Sequence, residues 1–167
     1  MGNTISELTP ITALVAAVII VLIIIFFLWL LNSRDTIFLG EISAAQEVPA
    51  PTLPPGVAPR GEVNASLNKD QNSLAFSSNV TGTSGPITAV HFHRGATGVA
   101  GPIVKTLNFR QQNGIWISDG AWSSTDQVEP LTPVLVQDLL NNRIYINWHT
   151  ALNPNGEVRG QVFNGSA

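Results

Sequence analysis

The sequence predicts an all-β domain, an antiparallel Greek-key sandwich or barrel, preceded by one transmembrane α-helix. Three observations predict it. The chain is 44% hydrophobic yet only 11% charged, against about 25% charged in ordinary soluble proteins, and the apolar excess is gathered near the N-terminus. Beyond that run, short stretches alternate apolar and polar residues, as half-buried strands do. Turn residues separate those stretches at the spacing of a sandwich.

The first ten residues form a short tail, and residues 11–31 form the helix. From Ile11 to Leu31 no residue carries a formal charge, and about 20 apolar residues suffice to cross a hydrocarbon layer of about 30 Å. Trp29 sits near the end of the run, where an indole settles at headgroup level. The run is apolar on every side, unlike the striped face of a core helix. A cleavable signal peptide would have a basic start, a shorter apolar core and a small-residue cleavage site. Here Met1–Pro10 holds Glu7 and no Lys or Arg, so the segment is expected to be retained as an anchor. The start Met1-Gly2-Asn3-Thr4-Ile5-Ser6 fits the pattern for myristoylation of Gly2.

Residues 32–35 are a polar connector and residues 36–167 the β domain. Strands are expected at Ile37–Ser43, over the alternating pair Gly61–Asn68 and Leu74–Val80, and at Ile87–His93, Ile103–Phe109, Ile115–Ser118, Arg143–Thr150 and Glu157–Phe163. Lys69-Asp70-Gln71-Asn72 turns the pair into a hairpin. The five prolines between Pro49 and Pro59 demand an irregular crossing. Thr132-Pro133 before Val134–Leu140 supplies an N-cap residue and a proline at the first helical position, predicting one short helix.

The absence of cysteine excludes disulfides, thiolate metal sites and palmitoyl anchors. Eight scattered basic residues and a net charge of −3 give no nucleic-acid footprint. Neither a G-x-S-x-G elbow nor an H-E-x-x-H helix occurs, so hydrolase chemistry has no support. Arg94–Pro102 contains three glycines but no Lys-Ser/Thr, and reads as a tight loop and not a phosphate loop. Asn153-Pro154-Asn155-Gly156 reads as a turn.

All three histidines fall in two short strands. His91 and His93 share a face, and Tyr145, Asn147 and His149 form a polar stripe on the other strand. If the two strands are neighbours, the imidazoles converge as ligands suited to copper or zinc. The competing reading has them hydrogen-bond the backbone and lock the glycine loop. Glu157 and Arg159 fall on one strand face with Gln161, and a surface ion pair is their expected role. Asn64, Asn79 and Asn164 head N-x-S/T sequons, which suit an extracytosolic domain; Arg34 alone weakly favours the opposite orientation.

Three motifs in order, Gly40-Glu41-Ile42 with Gln46-Glu47-Val48-Pro49, His91-Phe92-His93-Arg94-Gly95 with Gly101-Pro102-Ile103-Val104, and Tyr145–Thr150 with Asn153–Gln161, resemble the CHRD domain of chordin. The resemblance spans about residues 38–163. It implies an extracytosolic β-sandwich module without an established enzymatic activity, in which Asn147, Thr150, Asn153, Gly156, Glu157 and Arg159 are motif residues. The His-x-His strand is also distantly similar to the copper strand of Cu/Zn superoxide dismutases, but the cysteines and the metal-bridging loop of that family are missing.

The functional expectation is a single-pass, membrane-anchored module without catalysis or required cofactor, whose partners are the lipid bilayer and another protein. Two alternatives accompany it. One is a structural link between the internal membrane of a large DNA virus and its capsid protein. The other is a redox protein with copper or zinc on His91, His93 and His149.

Overall fold

The computed structural model describes residues 10–31 and 34–165, with side chains omitted at 10, 11 and 29–31. It divides into two compact units, Met1–Arg34 and Asp35–Ala167. Gly2, with its expected acyl chain, lies outside the described residues.

The first unit is helix α1, Pro10–Leu31. Its described side chains, at positions 12–28, are exposed on every side, as the lack of any polar stripe dictates. Among the described residues no helix is long and apolar enough to cross a membrane. Positions 12–28 rise about 26 Å at 1.5 Å per residue, short of a layer of about 30 Å. The helix expected over 11–31 is therefore present as a helix, while its span is not established by the described residues.

The second unit is a ten-stranded sheet in which every pairing is antiparallel. Its strands are β1 (Thr36–Ser43), β2 (Arg60–Leu67), β3 (Ser73–Thr81), β4 (Ile87–Arg94), β5 (Ile103–Thr106), β6 (Arg110–Gln112), β7 (Ile115–Ser123), β8 (Ile144–Thr150), β9 (Val158–Gln161) and β10 (Phe163–Asn164); helix α2 (Pro133–Leu140) lies between β7 and β8. The order across the sheet is β5-β4-β8-β9-β1-β2-β3-β7-β6, with β10 added beside β1. Consecutive strands β3 and β4, β5 and β6, and β7 and β8 are not neighbours, so the chain crosses repeatedly between the two halves of the sheet. The halves close on each other around a shared core: Phe92 of β4 packs edge-on to Phe76 of β3 at 5.2 Å and stacks on Trp122 of β7 at 5.8 Å.

The local signals explain most boundaries. Asn68 Oδ1 accepts from the amides of Asn72 and Ser73 and closes the β2–β3 hairpin, whose Gln71 takes a positive φ of 55°. Thr132 Oγ1 accepts from Leu135 N at 3.3 Å and caps α2, the N-cap role its sequence position predicts.

Three expected boundaries are corrected. β7 runs on to Ser123 instead of ending at Ser118, because Ser118-Asp119-Gly120 continues the register against β3 and the Ser118 hydroxyl finds Asn108 O at 2.8 Å. The strand expected over 103–109 ends at Thr106. The last expected strand breaks at Val162, whose amide turns to Ile144 O at 3.0 Å, leaving β9 and β10 as separate pieces.

β8 is buried along its whole length although its residues alternate apolar and polar. Ile144, Ile146 and Trp148 enter the hydrophobic core with Val90, Phe92 and Val158. Tyr145, Asn147 and His149 face the other way and are also buried. They lie beneath three loops that fold over the outer face of β4, β8 and β9: the segment 44–59, the glycine loop 95–102 and the turn 151–157.

Phe92 joins both halves of the core through its contacts with Phe76 and Trp122. Phe92→Ala should destabilise the domain by about 3–5 kcal/mol, the usual cost of removing a buried phenyl ring. Chemical denaturation followed by tryptophan fluorescence will report it.

Candidate functional site

The polar face is built by register. β4 and β8 pair so that His91 lies opposite Asn147, His93 opposite Tyr145 and Ala89 opposite His149; β8 and β9 then place Arg159 opposite Asn147 and Gln161 opposite Tyr145. Residues directly opposite in a sheet share a face. Seven polar or aromatic side chains are thereby brought onto one surface, and the loops close over it.

Each loop brings main-chain groups that have no strand partner, and the buried side chains supply those partners. Arg159 is 1% exposed. It donates to Val99 O at 3.0 Å, Ala96 O at 2.8 Å and Gln161 Oε1 at 2.9 Å, and its guanidinium lies 3.6 Å over the Tyr145 ring. Gln161 Nε2 donates to Gly95 O at 3.0 Å and Asn142 O at 2.7 Å. The glycine loop passes so close to β4 that a Cβ on Gly101 would lie 1.7 Å from Arg94 O.

At the other end, Asn153 acts as a miniature strand edge for the proline-rich crossing. Its Oδ1 accepts from Thr52 N at 2.8 Å and its Nδ2 donates to Thr52 O at 3.0 Å. Glu157, wholly buried, accepts from Ser84 N at 2.7 Å, Thr150 Oγ1 at 2.6 Å, Asn153 Nδ2 at 3.0 Å and the Ser84 hydroxyl. Burial pushes this carboxyl up, but the hydrogen bonds from Ser84, Thr150 and Asn153 outweigh it and hold it below the usual carboxylate range. Gly156 has φ 129°, and a Cβ there would meet Glu47 Oε2 and the Asn147 amide at 2.6 Å. Glu47 is held up by burial, and its Oε2, like Asn147 Oδ1, has no hydrogen-bond partner.

The surface ion pair expected of Glu157 and Arg159 is corrected. Both residues are buried, and each is satisfied by neutral groups of different loops. The sequence shows two opposite charges on one strand face but not the loops that cover that face.

The three histidines converge. Each offers a ring nitrogen within 4.8 Å of the others. His93 Nδ1 lies 2.9 Å from Gly101 O and His149 Nδ1 lies 3.0 Å from Pro154 O. A carbonyl oxygen only accepts, so both Nδ1 atoms carry the hydrogen and both Nε2 atoms are bare in the neutral rings. His91 Nδ1 lies 3.0 Å from His149 Nε2, and since that Nε2 is bare, His91 is the donor. His93 Nε2 is buried without a partner. His93 also stacks on Tyr145, with centroids 4.9 Å apart, and Tyr145 accepts from Gly101 N at 3.0 Å. Burial lowers the pKa of all three rings, His149 to about 4. Of the three rings, His93 is tied to the glycine loop and His149 to the turn 151–157, and all three lie together.

Thr150, Asn153, Gly156, Glu157 and Arg159 all lie in the loop-holding network, and Asn147 reaches it by donating to Glu47 Oε1 at 3.3 Å. The sequons are placed apart from it. Asn64 is exposed on β2, Asn79 is half-buried on β3 with its amide on Glu62 at 3.1 Å, and Asn164 is in β10 with the third sequon position outside the described residues. Sequence reasoning missed Ser84, which no motif marks, and underused Gln161, whose buried amide ties two loops.

The family model of the CHRD domain matches residues 38–162, a stretch that includes every residue of the polar face described above. Comparison with curated proteins and with solved structures gave no match.

Two predictions follow from this geometry. Arg159→Lys keeps the charge but loses the planar fork that spans two loop carbonyls; the domain should lose about 2 kcal/mol, with faster amide exchange confined to residues 95–102. The second concerns acid. The folded state keeps His149 neutral down to about pH 4, whereas an unfolded chain takes up the proton near pH 6.5. Its contribution is therefore intact above pH 6.5 and declines as pH falls towards 4. Glu47, raised by burial, acts in the opposite sense, so the comparison to make is with His149→Gln. Melting temperatures of chelator-treated protein should fall more steeply over that interval in the parent than in the variant.

Proposed function

Because the chain belongs to the CHRD domain family, we propose that it is a non-catalytic binding module tethered to a bilayer by α1, with its β domain on the extracytosolic side. The observation that carries the binding reading is the use made of the polar face. Arg159, Gln161, Asn153 and Glu157 are all engaged in holding loops, which leaves ordered loop surfaces for a partner protein. Val99 and Leu152, at 54% and 51% exposure, stand on two of those loops. Pre-ordered loops bearing apolar tips bind with less entropy loss than mobile ones.

Support for the tether comes from α1. Its described side chains, at positions 12–28, are apolar apart from Thr12, and they lie within the uncharged sequence run Ile11–Leu31, which has about the 20 residues that a hydrocarbon layer demands. Nothing about such a helix suits water, and a bilayer is the solvent that accepts it. The sequons Asn64-Ala65-Ser66 and Asn79-Val80-Thr81 permit the extracytosolic side.

The tether is tested by extraction. The full chain should stay with membranes in alkaline carbonate and float with vesicles. The double variant Ile19→Arg, Ile23→Arg should be released, since each arginine at mid-helix costs about 2.5–3.5 kcal/mol on insertion. Release of the unaltered chain by carbonate would refute the tether. Protease digestion in sealed vesicles would then report the side on which the β domain lies.

A further inference from the structure

We propose that His91, His93 and His149 form a three-imidazole site for one divalent ion of the zinc or copper type, and that the ion staples the two loops that close over the polar face. The inference is independent of the tether and holds wherever the domain resides. It stands on geometry. Three ring nitrogens lie within 4.8 Å of one another, and zinc–imidazole distances of about 2.0–2.1 Å in a tetrahedral site place ligand nitrogens roughly 3.3 Å apart. The His91–His149 pair is already at 3.0 Å. Side-chain rotations that bring the nitrogens from within 4.8 Å to about 3.3 Å complete the set.

The second shell is in place. Metal-bound histidines characteristically give their other ring N–H to a carbonyl or carboxylate, which fixes the tautomer and aims the free nitrogen. His93 and His149 do this through Gly101 O and Pro154 O. Each therefore presents a bare Nε2 before any ion arrives. His93 Nε2 is buried with no hydrogen-bond partner, an unusual state for a polar atom and one that an ion would relieve. His91 presents Nδ1, and on binding its hydrogen moves to Nε2. Of the three rings His91 is the least buried, which gives the ion its entry and leaves a fourth position for water or a donor from a partner. With no cysteine in the chain, the donors are imidazoles alone, which suit zinc and copper.

The carbonyls that orient the two buried rings belong to different loops, Gly101 to the glycine loop and Pro154 to the turn after β8. An ion joining His93 to His149 would therefore couple two segments more than fifty residues apart in sequence.

The test uses the full chain in detergent, stripped by chelator and titrated separately with Zn²⁺ and Cu²⁺ by calorimetry. One ion per chain is expected for at least one of the two metals, with a higher melting temperature and slower amide exchange at residues 95–102 and 151–156. His91→Ala should weaken binding at least tenfold; it also removes the hydrogen bond to His149 Nε2, but both carbonyl ties remain, so the metal-free variant should still fold, with a modestly lower melting temperature. His93→Gln should abolish binding; if that variant does not fold, His91→Ala carries the test alone. Nitrogen superhyperfine structure in the Cu²⁺ spectrum, reduced in His91→Ala, would identify the ligands. Absence of saturable binding by both ions, or binding unchanged in His91→Ala, overturns the proposal.

Discussion

The domain depends on one constraint: a strand buried on both faces whose outer face must supply hydrogen bonds. β8 contributes Ile144, Ile146 and Trp148 to the core, and such a strand ordinarily leaves its other face to water. Here three loops cover that face. Their carbonyls and amides have left water and have no ladder to join, and an unpaired buried main-chain group costs about 1–3 kcal/mol. Arg159, Gln161, Asn153, His93 and His149 are the residues that offset that cost. The loops are ordered because the sheet carries these donors, and the donors are tolerated in a buried layer because the loops need them.

The same accounting separates spent atoms from unspent ones. Arg159 and Glu157 have their hydrogen-bonding capacity committed, whereas His93 Nε2, Glu47 Oε2 and Asn147 Oδ1 are buried without partners. The two oxygens both lie against Gly156, beside the hydrogen bond from Asn147 Nδ2 to Glu47 Oε1. The imidazole nitrogen differs in its setting: it belongs to a ring whose hydrogen is committed to Gly101 O and which lies among two further imidazoles.

How much of this was legible in the sequence follows from the physics of each signal. Alternation in Gly61–Asn68 and Leu74–Val80 marked the β2–β3 hairpin, since a side-chain period of two is dictated by the pleat. Thr132 and Pro133 marked the start of α2 because capping is local. The convergence of His91, His93 and His149 could be stated only conditionally, as it requires β4 and β8 to be neighbours across more than fifty residues of chain. Strand ends were less legible: Ser118-Asp119-Gly120 has the composition of a turn, and only pairing with β3 carries the strand through it. The clearest misreading concerned Glu157 and Arg159. Alternation of apolar and polar residues implies a wet outer face, and nothing in β9 itself announces that loops from residues 44–59, 95–102 and 151–157 keep water away. The motif resemblance placed those residues in the right group without explaining why they belong together.

That misreading leads to a general point about the two charges. Arg159 and Glu157 are two residues apart and opposite in charge, but a buried ion pair often repays little more than its own desolvation. Pairing would also have consumed the donors and acceptors that the loops require. Kept apart, each charge becomes the centre of a set of neutral dipoles: the guanidinium gathers carbonyls from the glycine loop, and the carboxylate gathers amide and hydroxyl donors from Ser84, Thr150 and Asn153. Hydrogen bonds to a charged group are stronger than those between neutral groups, so one residue can hold a loop that would otherwise need several. In a domain with no cysteine to cross-link its surface segments, that division of labour is what keeps long, glycine- and proline-rich connections in a single conformation over the histidines.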